Sequence, residues 1–167
     1  MARLPALVAL AFAIAAPAAI AQPWPAKPIR LVVPFAPGGS SEIIARSLAA
    51  PLSAALGQQV YVDNKPGGAG NVAMEEVKRA PADGYTMILG HVGVLAVNPA
   101  LFGKALPYDP VKDFIPVTLV ATVPNVIAVN PDVPVTTLAE LVRKAKAEPG
   151  KLNYGSAGNG SAGHLAM

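Results

Sequence analysis

An apolar, largely β-branched run from Ile29 to Pro34 halts at Pro37-Gly38-Gly39 and gives way to a helix-forming stretch, and the pattern then repeats. A run with so few polar positions predicts a strand buried on both faces. Ser40, Ser41 and Glu42 supply N-cap and first-turn residues for a helix with Ile44, Leu48, Leu52 and Leu56 on one face, ended by Gly57. Pro51 predicts a kink or break within it, because an interior proline costs about 3 kcal/mol. Val60 to Val62 makes a second strand. The Gly67 to Gly70 turn, a helix from about Asn71 to Arg79, a turn at Pro81-Ala82-Asp83-Gly84 and a third strand, Tyr85 to Leu89, follow. The order βαβαβ dictates a parallel sheet with helices on its faces and right-handed crossovers.

Beyond the third strand, Val94 to Phe102 reads as helix, Leu106 to Phe114 as a polar loop, and Ile115 to Val129 as two strand runs hinged at Pro124-Asn125. Thr137-Leu138-Ala139-Glu140 is a capping box opening a helix that ends before Pro149-Gly150. Leu152 to Tyr154 predicts a short strand, followed by a glycine turn and a helix beginning near His164. This last unit cannot close a core alone, so residues 22–124 read as a first α/β lobe and 125–167 as the truncated start of a second. At the other end, Arg3, the apolar stretch from Leu4 to Ala16 and Ala19-Ile20-Ala21 before Gln22 form the pattern of an export signal, predicting cleavage after Ala21. Pro5 and Pro17 interrupt that segment, which is short for a bilayer span of about 20 apolar residues.

The composition excludes several functions. With 53% hydrophobic and 14% charged residues the chain must fold. Its 13 Lys and Arg against 10 Asp and Glu are scattered, leaving no nucleic-acid footprint, and 5% aromatics are too few for base-stacking platforms. The absence of Cys removes disulfides, thiol catalysis, Cys-ligated zinc and a lipid-anchored Cys. No His or carboxylate group has metal-ligand spacing, and no G-x-S-x-G elbow occurs. Gly158 to Gly163 matches G-x-G-x-x-G, but that motif alone has low specificity, the position of the acidic residue expected about 20 residues on lies beyond Met167, and a dinucleotide suits an exported protein poorly.

Two segments share one construction: Pro34-Phe35-Ala36-Pro37-Gly38-Gly39-Ser40-Ser41 and Tyr154-Gly155-Ser156-Ala157-Gly158-Asn159-Gly160-Ser161. Each lies between the end of a strand and the start of a helix, where open α/β sheets bind ligands. Glycines let backbone N–H groups approach an anion closely, so the pair suits carboxylates or phosphates. Gly67 to Gly70 has no accompanying hydroxyl and reads as a plain turn. His91 and His164 flank glycine turns, each able to bond a carboxylate or simply to satisfy local structure. Asp109 and Asp113 read as turn and cap residues rather than an acid/base pair.

The run Trp24 to Ser40 (WPAKPIRLVVPFAPGGS) resembles the mature start of the Bug, or TctC-type, receptors of tripartite tricarboxylate transporters. So do Asn64 to Asn71, Ala82 to Thr86, Leu106 to Phe114, and Leu152 to Ser161 with His164-Leu165. The resemblance implies a type II periplasmic-binding-protein-like α/β fold, here a first lobe with a parallel sheet and an incomplete second lobe. It implies a periplasmic monomer that captures a small carboxylate for the transporter's membrane subunits, with no cofactor, no metal and no catalytic residue. Phe35, Ala36, Gly38, Gly39 and Ser40 would line one jaw, and Ser156, Ala157, Gly158, Ser161 and His164 would begin the other, with His91 nearby. Two positions depart from the family pattern: Glu42 replaces the usual Asp, and His91 stands where a small hydroxyl residue is common. Two rival readings are an exported hydrolase using Ser161 or Ser156 with His164, and a non-functional truncated receptor paralogue.

Overall fold

The computed structural model of the chain describes residues 23–167, so the expected export signal at 1–21 lies outside the described residues. Strands β1 (Ile29–Val33), β2 (Val60–Asn64) and β3 (Thr86–Ile88) form a parallel sheet in the order β2-β1-β3. Ile29 pairs with Val60 and Arg30 with Thr86, so the central strand is the first in sequence. The ladder extends past β3: Arg30 N–H donates to Tyr85 O at 2.8 Å and Leu89 N–H to Val32 O at 2.9 Å, matching the expected Tyr85–Leu89 strand.

The right-handed crossovers run in opposite directions along the sheet, from β1 out to β2 and from β2 back past β1 to β3, which puts α1 (Ser40–Leu56) and α2 (Asn71–Lys78) on opposite faces. The period of two along β1 follows from this. Ile29, Leu31 and Val33 pack with Ala45 of α1, whereas Arg30 turns to the other face and pairs with Asp63 and with Glu76 of α2, at 2.5 Å to each. Ile29, Val32 and Val33 are fully buried, each contributing about 1.5–3 kcal/mol. A second cluster on the α2 side joins Met74, Val94 and Tyr108 with Ile88, Leu106 and Phe114.

Several expectations need correction. The face of α1 against the sheet is Ala45, Ala49, Leu52 and Leu56 rather than Ile44 and Leu48, because small residues let the helix sit close. Its N-cap is Gly39, with no side-chain cap from Ser40 or Ser41. The helix runs through Pro51 without a break; Pro51 and Ser47 are solvent-exposed, so water can take the Ser47 carbonyl that loses its amide partner. Val94 to Phe102 is helical as expected, in a π-type turn (Gly93–Val97) followed by α3 (Asn98–Phe102). The loop Leu106–Phe114 is not merely polar: Tyr108 is buried and its hydroxyl donates to Val94 O at 2.6 Å.

Ile115–Val129 and Leu152–Tyr154 form no strands. A strand exists only through a neighbour's hydrogen bonds, and among the described residues nothing pairs with these segments. Ile115, Val117, Leu119 and Val126 each keep more than four-fifths of their surface exposed. The capping box forms as read: Thr137 Oγ1 accepts the Glu140 N–H and Glu140 Oε2 accepts the Thr137 N–H, both at 3.2 Å, starting α4 (Leu138–Ala147). Helix α5 (Ala162–Leu165) begins two residues before His164. No helix of the described residues is long and apolar enough to cross a membrane.

Candidate functional site

Strands β1 and β2 are neighbours running the same way, so the turns leaving their carboxyl ends stand side by side. The first is Pro34 to Gly39; the second, Lys65 to Gly70, contains the glycines that read as a plain turn in the sequence. The glycine turn before α5 closes over both. Between them lies a cleft of about 280 Å³ lined by Pro34, Phe35 and Ala36, by Pro66 to Gly70, and by Ala157, Gly158 and Asn159. None of these side chains is charged, so an anion there would be held by backbone N–H groups and dipoles.

Four of the expected residues therefore reach the cleft wall: Phe35, Ala36, Ala157 and Gly158. Gly39 stands just behind, where an added Cβ would come within 3.2 Å of Ala157 Cβ. Gly38 has a left-handed φ of +96° and its N–H is already taken, donating to Glu42 Oε2 at 2.6 Å. Glu42 is itself buried and also accepts from Arg46 Nε at 2.7 Å. The Gly38 N–H, then Arg46, holds this carboxyl below the usual carboxylate range. The departure from the family pattern at Glu42 thus places an internal carboxylate at the head of α1. The amides of Ser40, Ser41 and Glu42 lack intrahelical acceptors, but none of these residues lines the cleft.

The Gly67–Gly70 turn is the part that sequence reasoning misses. Gly67, Gly68, Ala69 and Gly70 all have positive φ, including +56° at Ala69, a conformation that costs a non-glycine residue roughly 1–2 kcal/mol. The fully buried Asn98 holds it there, donating from Nδ2 to Ala69 O at 3.0 Å and to Asn71 Oδ1 at 2.7 Å. A signal is available: a glycine-rich turn at the carboxyl end of a strand adjacent to β1 shares the sheet edge where ligands bind, whether or not a hydroxyl accompanies it.

The remaining expected residues lie around the cleft rather than in its wall. Ser161 is buried and its Oγ accepts the backbone N–H of His164 at 3.3 Å, capping α5. Ser156 is exposed and its Oγ accepts the Gly158 N–H at 3.4 Å. His164 Nδ1 faces the Gly160 N–H at 3.5 Å, and its ring lies against Tyr154. Ser40 is exposed at the start of α1. His91 lies behind Phe35 rather than in the cleft wall. The turn role of Asp109 is met, its Oδ1 accepting from the Val111 and Lys112 N–H groups, while Asp113 Oδ2 accepts the Asp109 N–H and pairs with Lys78. No group of three His, Asp or Glu among the described residues could hold a metal.

A parallel α/β sheet with a small uncharged cleft at its carboxyl edge, walled by glycine turns, defines the periplasmic-binding-protein class of fold. More narrowly, the chain belongs to the tripartite tricarboxylate transporter receptor family, whose model matches residues 44–167. It is 42% identical to a UPF0065 protein of Bordetella pertussis over 161 residues, 96% of this chain and 49% of that one. Among solved structures it is similar to R. palustris Rpa4515 with adipate (44% identity, TM-score 0.78, covering 86% of this chain and 48% of that one). It is also similar to MatC of Rhodopseudomonas palustris with bound malate (41% identity, TM-score 0.56, 58% and 33% covered). The chain spans about half the length of the curated relatives it matches.

Proposed function

We propose that this chain carries the ligand-gripping part of a periplasmic solute-binding receptor that captures a small dicarboxylate and delivers it to the membrane subunits of a tripartite tricarboxylate transporter. The observation that carries the proposal is the cleft of about 280 Å³ between three glycine-rich turns, uncharged on its walls. A site just below the usual range of about 300–1,000 Å³ suits a metabolite of few heavy atoms and is too small for a peptide. Backbone amides and a helix N-terminus favour carboxylate oxygens, and the two similar structures above hold adipate and malate.

On this reading Phe35 and Ala36 supply one wall, Gly67 to Gly70 the second, and Ala157 to Asn159 the third. Gly39 keeps the space behind them open, while Ser161 and His164 hold the third turn's shape. Residues 125–167 begin a second lobe, residues 1–21 direct export and are removed, and the receptor works as a monomer without cofactor or chemical turnover. Native mass spectrometry of the protein taken from the periplasm of its own cells tests this. The expected result is one bound small dicarboxylate per chain; protein that carries no carboxylate and shows no thermal shift with C4 to C6 dicarboxylates overturns it.

A further inference from the structure

His91 sits where three segments meet. Its ring stands edge-on to Phe35, with centroids 5.1 Å apart at 79°. Both ring nitrogens face backbone N–H groups: Nδ1 lies 3.0 Å from Gly93 N, and Nε2 lies 3.3 Å from Ala162 N. A neutral imidazole has one nitrogen able to accept and an imidazolium has none, so at most one of these amides is satisfied at any time. Ala162 is the first residue of α5 and lies 71 positions along the chain, so the Nε2 contact ties the third glycine turn to the α/β unit.

The packing beside this contact leaves no slack. The Gly160 carbonyl lies so close to Gly93 that a Cβ there could not be accommodated, and a Cβ on Gly160 would come within 2.7 Å of Ala69 Cβ. Gly93, Gly160 and Ser161 are all buried. The third turn is thus seated through small-residue contacts, and the neutral tautomer whose Nε2 accepts supplies the polar contact from His91 to the head of α5.

We propose that His91 is a pH-gated latch that holds the third glycine turn against the α/β unit while its imidazole is neutral and releases it on protonation. Burial pushes the His91 pKa below its ordinary value of 6.5. The sign follows: the latch contributes fully above 6.5 and is lost as pH falls through the depressed value, because the docked state resists the proton. No carboxylate among the described residues forms an ion pair with His91. Of the segments in contact with it, the Pro34–Gly39 turn that carries Phe35 and the Gly93–Val97 turn have no titratable side chain, and α5 carries His164, which faces the Gly160 N–H. Acid release of a bound ligand would follow only if the receptor reading above holds; the latch itself does not depend on it.

Amide hydrogen exchange on the full chain, followed by NMR and corrected for the intrinsic pH dependence of exchange, tests the latch without a ligand. Protection of the Ala162 amide is expected to fall about fivefold as pH is lowered from about 7.5 until the His91 ring is protonated, as followed by its imidazole ¹⁵N shifts, the factor carried by one lost hydrogen bond. His91→Gln, whose carboxamide oxygen accepts at either pH, should flatten that profile. An unprotected Ala162 amide, a flat wild-type profile, or a fall retained in His91→Gln overturns the proposal. Imidazole ¹⁵N shifts of the wild-type protein give a second reading that needs no variant. They should show His91 titrating together with the Ala162 amide, and titration without any movement of that amide also overturns the latch.

Discussion

Replacing Gly93 with alanine separates the docking of the third turn from the stability of the fold. The backbone at Gly93 is not left-handed and continues into a helical turn, so alanine should fit locally and favour that turn by about 0.5–1 kcal/mol. Its Cβ, however, would project straight at the Gly160 carbonyl oxygen. Carbon–oxygen contacts settle near 3.3 Å, so the turn must retreat by about 1 Å and give up its seat against Ala69 and His91. Overpacking of this kind costs about 1–3 kcal/mol, here confined to the interface between the turn and the α/β unit. The expected outcome is a melting temperature equal to or slightly above wild type, together with a loss of amide protection across Gly160–Leu165 of about 5- to 100-fold. Circular dichroism melting and hydrogen exchange on the same sample measure both. Wild-type protection of those amides, or a global destabilisation matching the local one, would refute the reasoning, since either result means that the close approach does not hold the turn.

Gly39→Leu should abolish dicarboxylate binding while the fold is retained, because the new side chain meets Ala157 Cβ at 3.2 Å from its own Cβ onward and pushes that cleft wall out of place; calorimetry and circular dichroism read the two effects. Glu42→Gln should lessen the loss of stability on acidification. The wild-type carboxyl, held low first by the Gly38 N–H and then by Arg46, contributes stability above 4.5 that is lost as pH falls through its depressed value. Chemical denaturation from neutral pH down to about pH 3.5 should therefore show a shallower slope in the variant, and parallel slopes would show that Glu42 is not responsible.

The α/β unit is legible in the sequence because each of its signals is local. β-branched runs, glycine stops and the order βαβαβ fix strand direction and crossover hand, and the Thr137–Glu140 capping box forms as read. What escapes depends on partners distant in sequence. Ile115–Val129 has the composition of strands, but composition supplies no neighbour, and among the described residues the segment stays unpaired. Glu42 stands out as a departure from the family pattern, yet its occupation of the Gly38 N–H depends on side-chain reach across one helical turn. The Gly67–Gly70 turn reads as plain for want of a hydroxyl, although it lines the cleft in a shape that rests on a left-handed Ala69 held by Asn98 from 29 positions away.

Isothermal titration of the purified protein with adipate and then malate tests the central claim most directly. The glycine-turn cleft predicts saturable one-to-one binding of at least one of these dicarboxylates. It also predicts that Gly39→Leu, folded as judged by circular dichroism, removes the binding. Saturable binding that survives Gly39→Leu unchanged, or no binding by either dicarboxylate, would contradict the account.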